Sequence, residues 1–178
     1  SVEEGTPFAD IGVRVDDDFQ ADLYENAAER LKAAGYGHYE ISNFARSGFE
    51  GRHNLRYWRN QDCLGAGVSA AYYVNGVRRK NTESLDDYMT ALEQGRSPVV
   101  EETTLSDDER VGETLMLGLR LSEGVELTPR AASLYGGVLE KYRALGFLAR
   151  PTPTHYTPTL KGWRLSNRLF QELLTPNK

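Results

Sequence analysis

Within one run of six residues, His53-Asn54-Leu55-Arg56-Tyr57-Trp58, the chain places an imidazole, an amide, a guanidinium and two large aromatic rings. A neutral imidazole ligates iron through a ring nitrogen, and flat aromatic surface covers a macrocycle, so these types at this density suit the grip on a porphyrin. The same residues also make a hydrogen-bonded structural histidine packed on rings, which is the commoner use of such a residue. Other candidates are thinner. His38 and His155 lack metal-ligand spacing and are assigned no role. Cys63, the single cysteine, has no adjacent His or Lys to favour its thiolate and reads as an inert thiol. One thiolate holds neither an iron–sulfur cluster nor a structural zinc ion. Arg78-Arg79-Lys80 has the chemistry to meet propionates or phosphates, although a basic run is more often the solvated face of a hairpin. Leu64-Gly65-Ala66-Gly67 offers successive backbone N–H groups of the kind that cradle anions. It lacks the Lys-Ser/Thr of a phosphate loop and runs into an apparent hairpin, so Gly65 and Gly67 read as structural first.

The elements that must position these groups alternate. Asp16-Asp17-Asp18 precedes apolar positions Leu23, Ala27, Ala28, Leu31 and Ala34, which predicts a helix stopped by Gly35. Tyr39-Glu40-Ile41-Ser42-Asn43-Phe44 then predicts a short strand, so the order reads as one unit of an α/β repeat. After the Gly-rich run, Asn75-Gly76 predicts a hairpin turn. Thr82-Glu83-Ser84 opens a short helix with Leu85, Tyr88, Met89 and Leu92 facing inward, ended by Gly95, and Pro98 to Thr104 reads as a linker. Ser106-Asp107-Asp108-Glu109 is a capping box before Val111, Leu115, Met116 and Leu119. Beyond Leu127, a helix led by Thr128-Pro129, short strands at Phe147-Leu148 and Tyr156-Thr157, and a last helix from Leu165 to Leu174 suggest an α+β module of winged-helix-like form.

With 39% hydrophobic residues in 178, the chain has enough apolar material for a real core. It has no apolar run of membrane-spanning length, and Ser1-Val2-Glu3-Glu4 lacks the basic and apolar regions of a secretion signal, which together lead to the expectation of a cytoplasmic protein. The formal charge of -5 is uneven: 13 Lys and Arg against 24 Asp and Glu up to Leu127, then 8 against 2. A basic terminal module fits a nucleic-acid surface, but it fits better as the complement of the acidic segment before it.

Tyr39-Glu40-Ile41-Ser42-Asn43-Phe44-Ala45 followed by His-Asn-x-x-Tyr-Trp resembles the signature of HemW, the radical-SAM-family heme chaperones related to oxygen-independent coproporphyrinogen III oxidase. Glu4-Gly5-Thr6-Pro7-Phe8, Leu64-Gly65-Ala66-Gly67, Leu115-Met116-Leu117-Gly118-Leu119-Arg120 and Leu165-Ser166-Asn167-Arg168-Leu169-Phe170 extend the likeness over nearly the whole chain. The resemblance implies that residues 1–97 are the last part of an incomplete TIM-type barrel and 98–178 a small C-terminal domain. It also implies heme binding at His53, with Asn54, Tyr57 and Trp58 as companions, and a turn at Gly65 and Gly67 close to the barrel's cofactor. In the full-length family that cofactor is a [4Fe–4S] cluster with S-adenosylmethionine, whose ligands this chain lacks. The implied partners are heme, a recipient hemoprotein of the respiratory chain and the N-terminal part of the barrel; exposed strand edges of a cut barrel add a possible homodimer. The alternatives are a segment of a coproporphyrinogen oxidase-like enzyme and, last, a winged-helix DNA-binding module. Two departures stand out: Val68, Ser69 and Ala71 replace the family's Pro, Gly and His, and Gly51 replaces a frequent Cys. Iron ligation therefore leans on His53.

Overall fold

The computed structural model describes residues 4–12 and 16–174; Ser1 to Glu3, part of the reading on secretion signals, lie outside them. The chain divides into two compact units between Glu50 and Gly51.

The first unit holds α1 (Pro7–Asp10), α2 (Asp17–Ala33), β1 (Gly37–Glu40) and β2 (Asn43–Ala45). The Asp16 carboxylate caps α2 by accepting the Phe19 N–H at 3.0 Å, as the acidic run before the helix leads one to expect. The single strand expected over 39–44 is instead an antiparallel hairpin, β1 with β2. The cause is local: the Glu40 carboxylate accepts the Ser42 N–H at 3.2 Å and the register slips between His38 and Glu40, so the chain reverses at Ile41-Ser42. Tyr24 on α2 donates its hydroxyl to the Ile41 carbonyl at 3.0 Å, and the His38 ring stacks on Phe44 with centroids 4.0 Å apart. His38 is thus a packing residue. Among the described residues of this unit, Glu40 and Ala45 alone are buried, and Leu23, predicted to face a core, is exposed.

The second unit begins with α3 (Arg52–Trp58), followed by β3 (Ala71–Val74), β4 (Val77–Asn81), α4 (Leu85–Glu93) and β5 (Val99–Thr104). The three strands form an antiparallel sheet in the order β3-β4-β5. Asn75 and Gly76, at φ 52° and 78°, are the two left-handed residues of the predicted turn. The expected linker from Pro98 is strand β5, because Val99, Val100, Thr103 and Thr104 are β-branched and the Arg79 guanidinium pairs across to Glu102 at 2.8 Å. The sheet therefore bridges the expected boundary after Ser97. Helix α4 starts at its predicted cap, Ser84, but Leu85, Met89 and Leu92 are exposed rather than inward. The helix is seated instead on its Tyr88 and Ala91 side, where the Tyr88 hydroxyl accepts the Gly67 N–H at 3.1 Å.

Then come α5 (Asp107–Gly118), β6 (Val125–Glu126), α6 (Pro129–Ala144), β7 (Leu148–Ala149), β8 (His155–Pro158), α7 (Leu160–Arg164) and α8 (Ser166–Leu174). The capping box of α5 is complete, with Ser106 accepting the Glu109 N–H and Glu109 accepting that of Ser106. The last predicted helix is preceded by α7, a single turn capped by Thr159. The two predicted strands β7 and β8 gain a third partner in the order β6-β8-β7. Helices α5, α6 and α8 enclose the main core, with Leu115, Tyr135, Leu139, Leu169 and Leu173 buried. The basic excess of this segment meets acids: Arg130 pairs with Asp108 of α5 at 2.7 Å, and Lys141 with Glu172 at 2.7 Å. Among the described residues no helix is long and apolar enough to cross a membrane.

Helix α5 approaches α8 so closely that a Cβ on Gly112 would run into the Leu173 carbonyl and the Tyr135 hydroxyl. Gly112→Ala is expected to destabilise the chain by about 1–3 kcal/mol, read from urea unfolding midpoints. Burial holds the His38 imidazole below its ordinary value, opposed by hydrogen bonding to the Ile41 carbonyl. Below an unfolded value of about 6.5 the unfolded chain binds the extra proton first, so this contribution is present above that pH and lost as pH falls through the folded value. An NMR titration should place the His38 midpoint below that of a model peptide.

Candidate functional site

Helix α3 has two working faces. Residues four apart lie one turn above each other, so His53 and Tyr57 share one face while Asn54 and Trp58 share another, rotated by about 100°. The helix ends where Asn60 takes a left-handed φ of 50° and the Arg56 guanidinium donates to the Asp62 carbonyl at 2.7 Å. This turn carries the chain back along the sheet, where Cys63 and Tyr73 exchange backbone hydrogen bonds at 2.7 and 3.1 Å.

The outcome is a cleft of about 400 Å³ lined by His53 and Tyr57 of α3, by Cys63 and Gly65, by Tyr72 and Tyr73 of β3, and by Arg78 and Arg79 of β4, with Leu117 of α5 also contributing. Asn54 and Trp58 do not line it. Trp58 is half-buried, and the Arg120 guanidinium lies 5.0 Å from its ring centroid and 4.6 Å from that of Phe170. A cation held between two rings ties α3 and α8 to the segment that follows α5. Two of the four expected porphyrin-holding residues thus meet in the cleft, and Trp58 works in the packing behind it.

The two glycines also separate. A Cβ on Gly65 would stand 2.8 Å from Tyr72 Cδ1, so the Tyr72 ring lies against this glycine in the cleft wall. Gly67, at φ 105°, is outside the lining; its N–H donates to the Tyr88 hydroxyl and its carbonyl accepts from Asn81 Nδ2 at 2.9 Å. It fastens the Gly-rich turn to α4.

The run Arg78-Arg79-Lys80 is engaged with carboxylates at every position. Arg78 pairs with Glu113 of α5, whose side chain is 1% exposed, and Glu113 also accepts from Asn60 Nδ2 at 3.2 Å. Arg79 is bound to Glu102, and Lys80 to Glu83 at 2.6 Å; that last hydrogen bond holds the Glu83 carboxyl below and the Lys80 ammonium above their usual ranges. Removing Arg78 alone would leave the Glu113 carboxylate buried without its cation. That change costs about 3–5 kcal/mol for a fully buried pair, and less here because Arg78 is half-exposed. His155 is structural, its Nε2 lying 2.6 Å from the Glu123 carbonyl.

The residues present do not fit an iron–sulfur cluster: Cys63 is the single cysteine, and among the described residues no group of three His, Cys, Asp or Glu is placed to hold a metal ion. No protein-family model matches the chain. Curated relatives do match. The heme chaperone HemW of Lactococcus lactis is 32% identical over 165 residues, covering 89% of this chain and 43% of that protein. HemW of Bacillus subtilis is 35% identical over 121 residues, 68% of this chain and 32% of that protein. The chain is HemW-like. It spans less than half the length of these relatives. The HemW-like chain also shares its fold with Escherichia coli coproporphyrinogen III oxidase (HemN), a radical SAM enzyme, with a TM-score of 0.67 over 86% of this chain and 40% of that one at 18% identity.

The cleft adds Asn60, Cys63, Tyr72, Tyr73 and Arg78 to the residues singled out around His53. Tyr72 and Tyr73 carried a sequence signal, two aromatics before an Asn-Gly hairpin turn, that spacing alone does not connect to His53. Trp58→Ala should lower stability by about 2–4 kcal/mol, whereas Tyr57→Ala should change it by less than about 0.5 kcal/mol, both measured by chemical denaturation.

Proposed function

We propose that the α3 cleft binds heme, with His53 as the iron ligand, and that the chain is part of a cytoplasmic HemW-like heme chaperone that passes heme to a recipient hemoprotein of the respiratory chain. The observation that carries this reading is the sharing of one helical face by His53 and Tyr57 at a cleft walled by Tyr72, Tyr73 and Arg78. An exposed imidazole reaches iron without first leaving a buried hydrogen bond, the neighbouring rings supply flat apolar surface, and the guanidinium suits an acidic substituent. Both relatives described above are named heme chaperones, which supports the same substrate. Trp58 enters this reading by holding α3 rather than by touching heme, and Asn54 stands outside the cleft lining.

The architecture proposed with it places residues 1–97 in the last part of a radical SAM barrel and 98–178 in a winged-helix-like domain, with strand β5 of the second part completing the sheet of the first. The helix–strand–helix–strand–strand order of α5, β6, α6, β7 and β8 supports the second half of that assignment. A cluster and S-adenosylmethionine would then draw their ligands from residues beyond these 178, and a homodimer remains part of the proposal through the open edges of the sheets.

Titration of the chain with hemin should produce a Soret shift, and His53→Ala should weaken the affinity by about tenfold or more, the worth of one good ligand contact. Equal affinities of the two proteins would reject the ligand assignment.

A further inference from the structure

Arg78 differs from the other cations near the cleft in what stands behind it. Its side chain is half-exposed and lines the cleft, whereas its partner Glu113 is withdrawn from water on α5. Arg79 and Lys80 pair instead with carboxylates that are themselves exposed. Glu113 sits one turn before Leu117, which also lines the cleft, and its second bond comes from Asn60, another lining residue. One buried carboxylate therefore grips two cleft residues that arrive from different elements, the end of α3 and strand β4.

A guanidinium presents five N–H donors in a rigid planar fork, and a single carboxylate engages at most two of them. Among the described residues Glu113 is the one acceptor bound to Arg78. Donors therefore remain for a ligand in the cleft, on a side chain whose swing is restricted from behind. We infer that Arg78 is the carboxylate-binding residue of this cleft and that Glu113 is its positioning residue. This rests on the heme-binding reading above, under which the acid is a propionate of the porphyrin. Because the Arg78–Glu113 pair is neutral as a unit, it offers directed hydrogen bonds more than long-range attraction, and the preference for an acid should survive added salt.

The experiment is a fluorescence titration of the whole chain with metal-free protoporphyrin IX and with its dimethyl ester. Neither porphyrin carries iron, so ligation by His53 cannot enter the result. The wild-type chain should bind the acid about tenfold more tightly than the ester, the usual worth of a charge-assisted hydrogen bond. R78M/E113Q removes both charges together and leaves no lone charge buried, so it should fold and lose the preference. E113Q, with Arg78 still present, should weaken binding of the acid while leaving that of the ester unchanged, a split that a merely structural role would not produce. If hemin binding ignores His53 while the acid preference holds and disappears in R78M/E113Q, the ligation reading fails and this one stands. Equal wild-type affinities for acid and ester, binding of neither porphyrin, or a preference retained in R78M/E113Q would overturn it.

Discussion

A carboxylate removed from water must be surrounded by donors, and among the described residues of the second unit that requirement falls on Glu113. Satisfying it draws the end of α3, through Asn60, and the β3-β4 hairpin, through Arg78, onto the same helix α5. The cleft exists because these two elements are pulled together from opposite sides. Hydrophobic burial then completes the unit from behind, where Leu115 of α5 and Leu173 of α8 are withdrawn from solvent and Trp163 donates its indole N–H to the Leu119 carbonyl at 2.9 Å. Without the Glu113 contacts, the same core would leave the hairpin and α3 less tightly oriented.

The six-residue motif looks like a single chemical cluster when written as a string, but the helix sorts it. Odd members His53 and Tyr57 turn to the cleft; Trp58 turns to the Arg120–Phe170 stack. A motif of this kind reports two requirements at once, one for the surface of the cleft and one for the packing that fixes the helix. The Gly-rich run is divided in the same manner, with Gly65 under the Tyr72 ring and Gly67 fastened to Tyr88.

Features that depend on neighbours in sequence were legible: the Asp16 cap, the Asn75-Gly76 turn, the Ser106–Glu109 capping box and Thr128-Pro129 all act within four residues. Features that depend on distant partners were not. Strand β5 looked like a linker because its pairing with β4 is a tertiary fact, and the hairpin at Ile41-Ser42 turns on a carboxylate bending onto its own backbone, with no Gly or Pro to mark it. At the site, His53, Asn54, Tyr57 and Trp58 were chosen together from residue type and the resemblance; helix α3, which parts His53 and Tyr57 from Trp58, was not among the expected elements. Arg78 looked like one of three equivalent surface cations, since its distinguishing partner lies 35 residues further on. Of the inward face assigned to α4, Tyr88 is seated and Leu85, Met89 and Leu92 are not: all four follow helical spacing, but the Tyr88 contact decides which side is seated.

Every described residue that lines the cleft comes after Gly51, and among the described residues before it Glu40 and Ala45 alone are buried. Segments with so few buried contacts open at low free-energy cost, and proteases cut what opens. A protease trimming the chain up to Glu50 would therefore meet a helix whose second residue is His53, and would leave each wall of the cleft in place. The imidazole sits at the leading edge of the durable part of the molecule, and the lifetime of the cleft need not follow that of the residues that precede it.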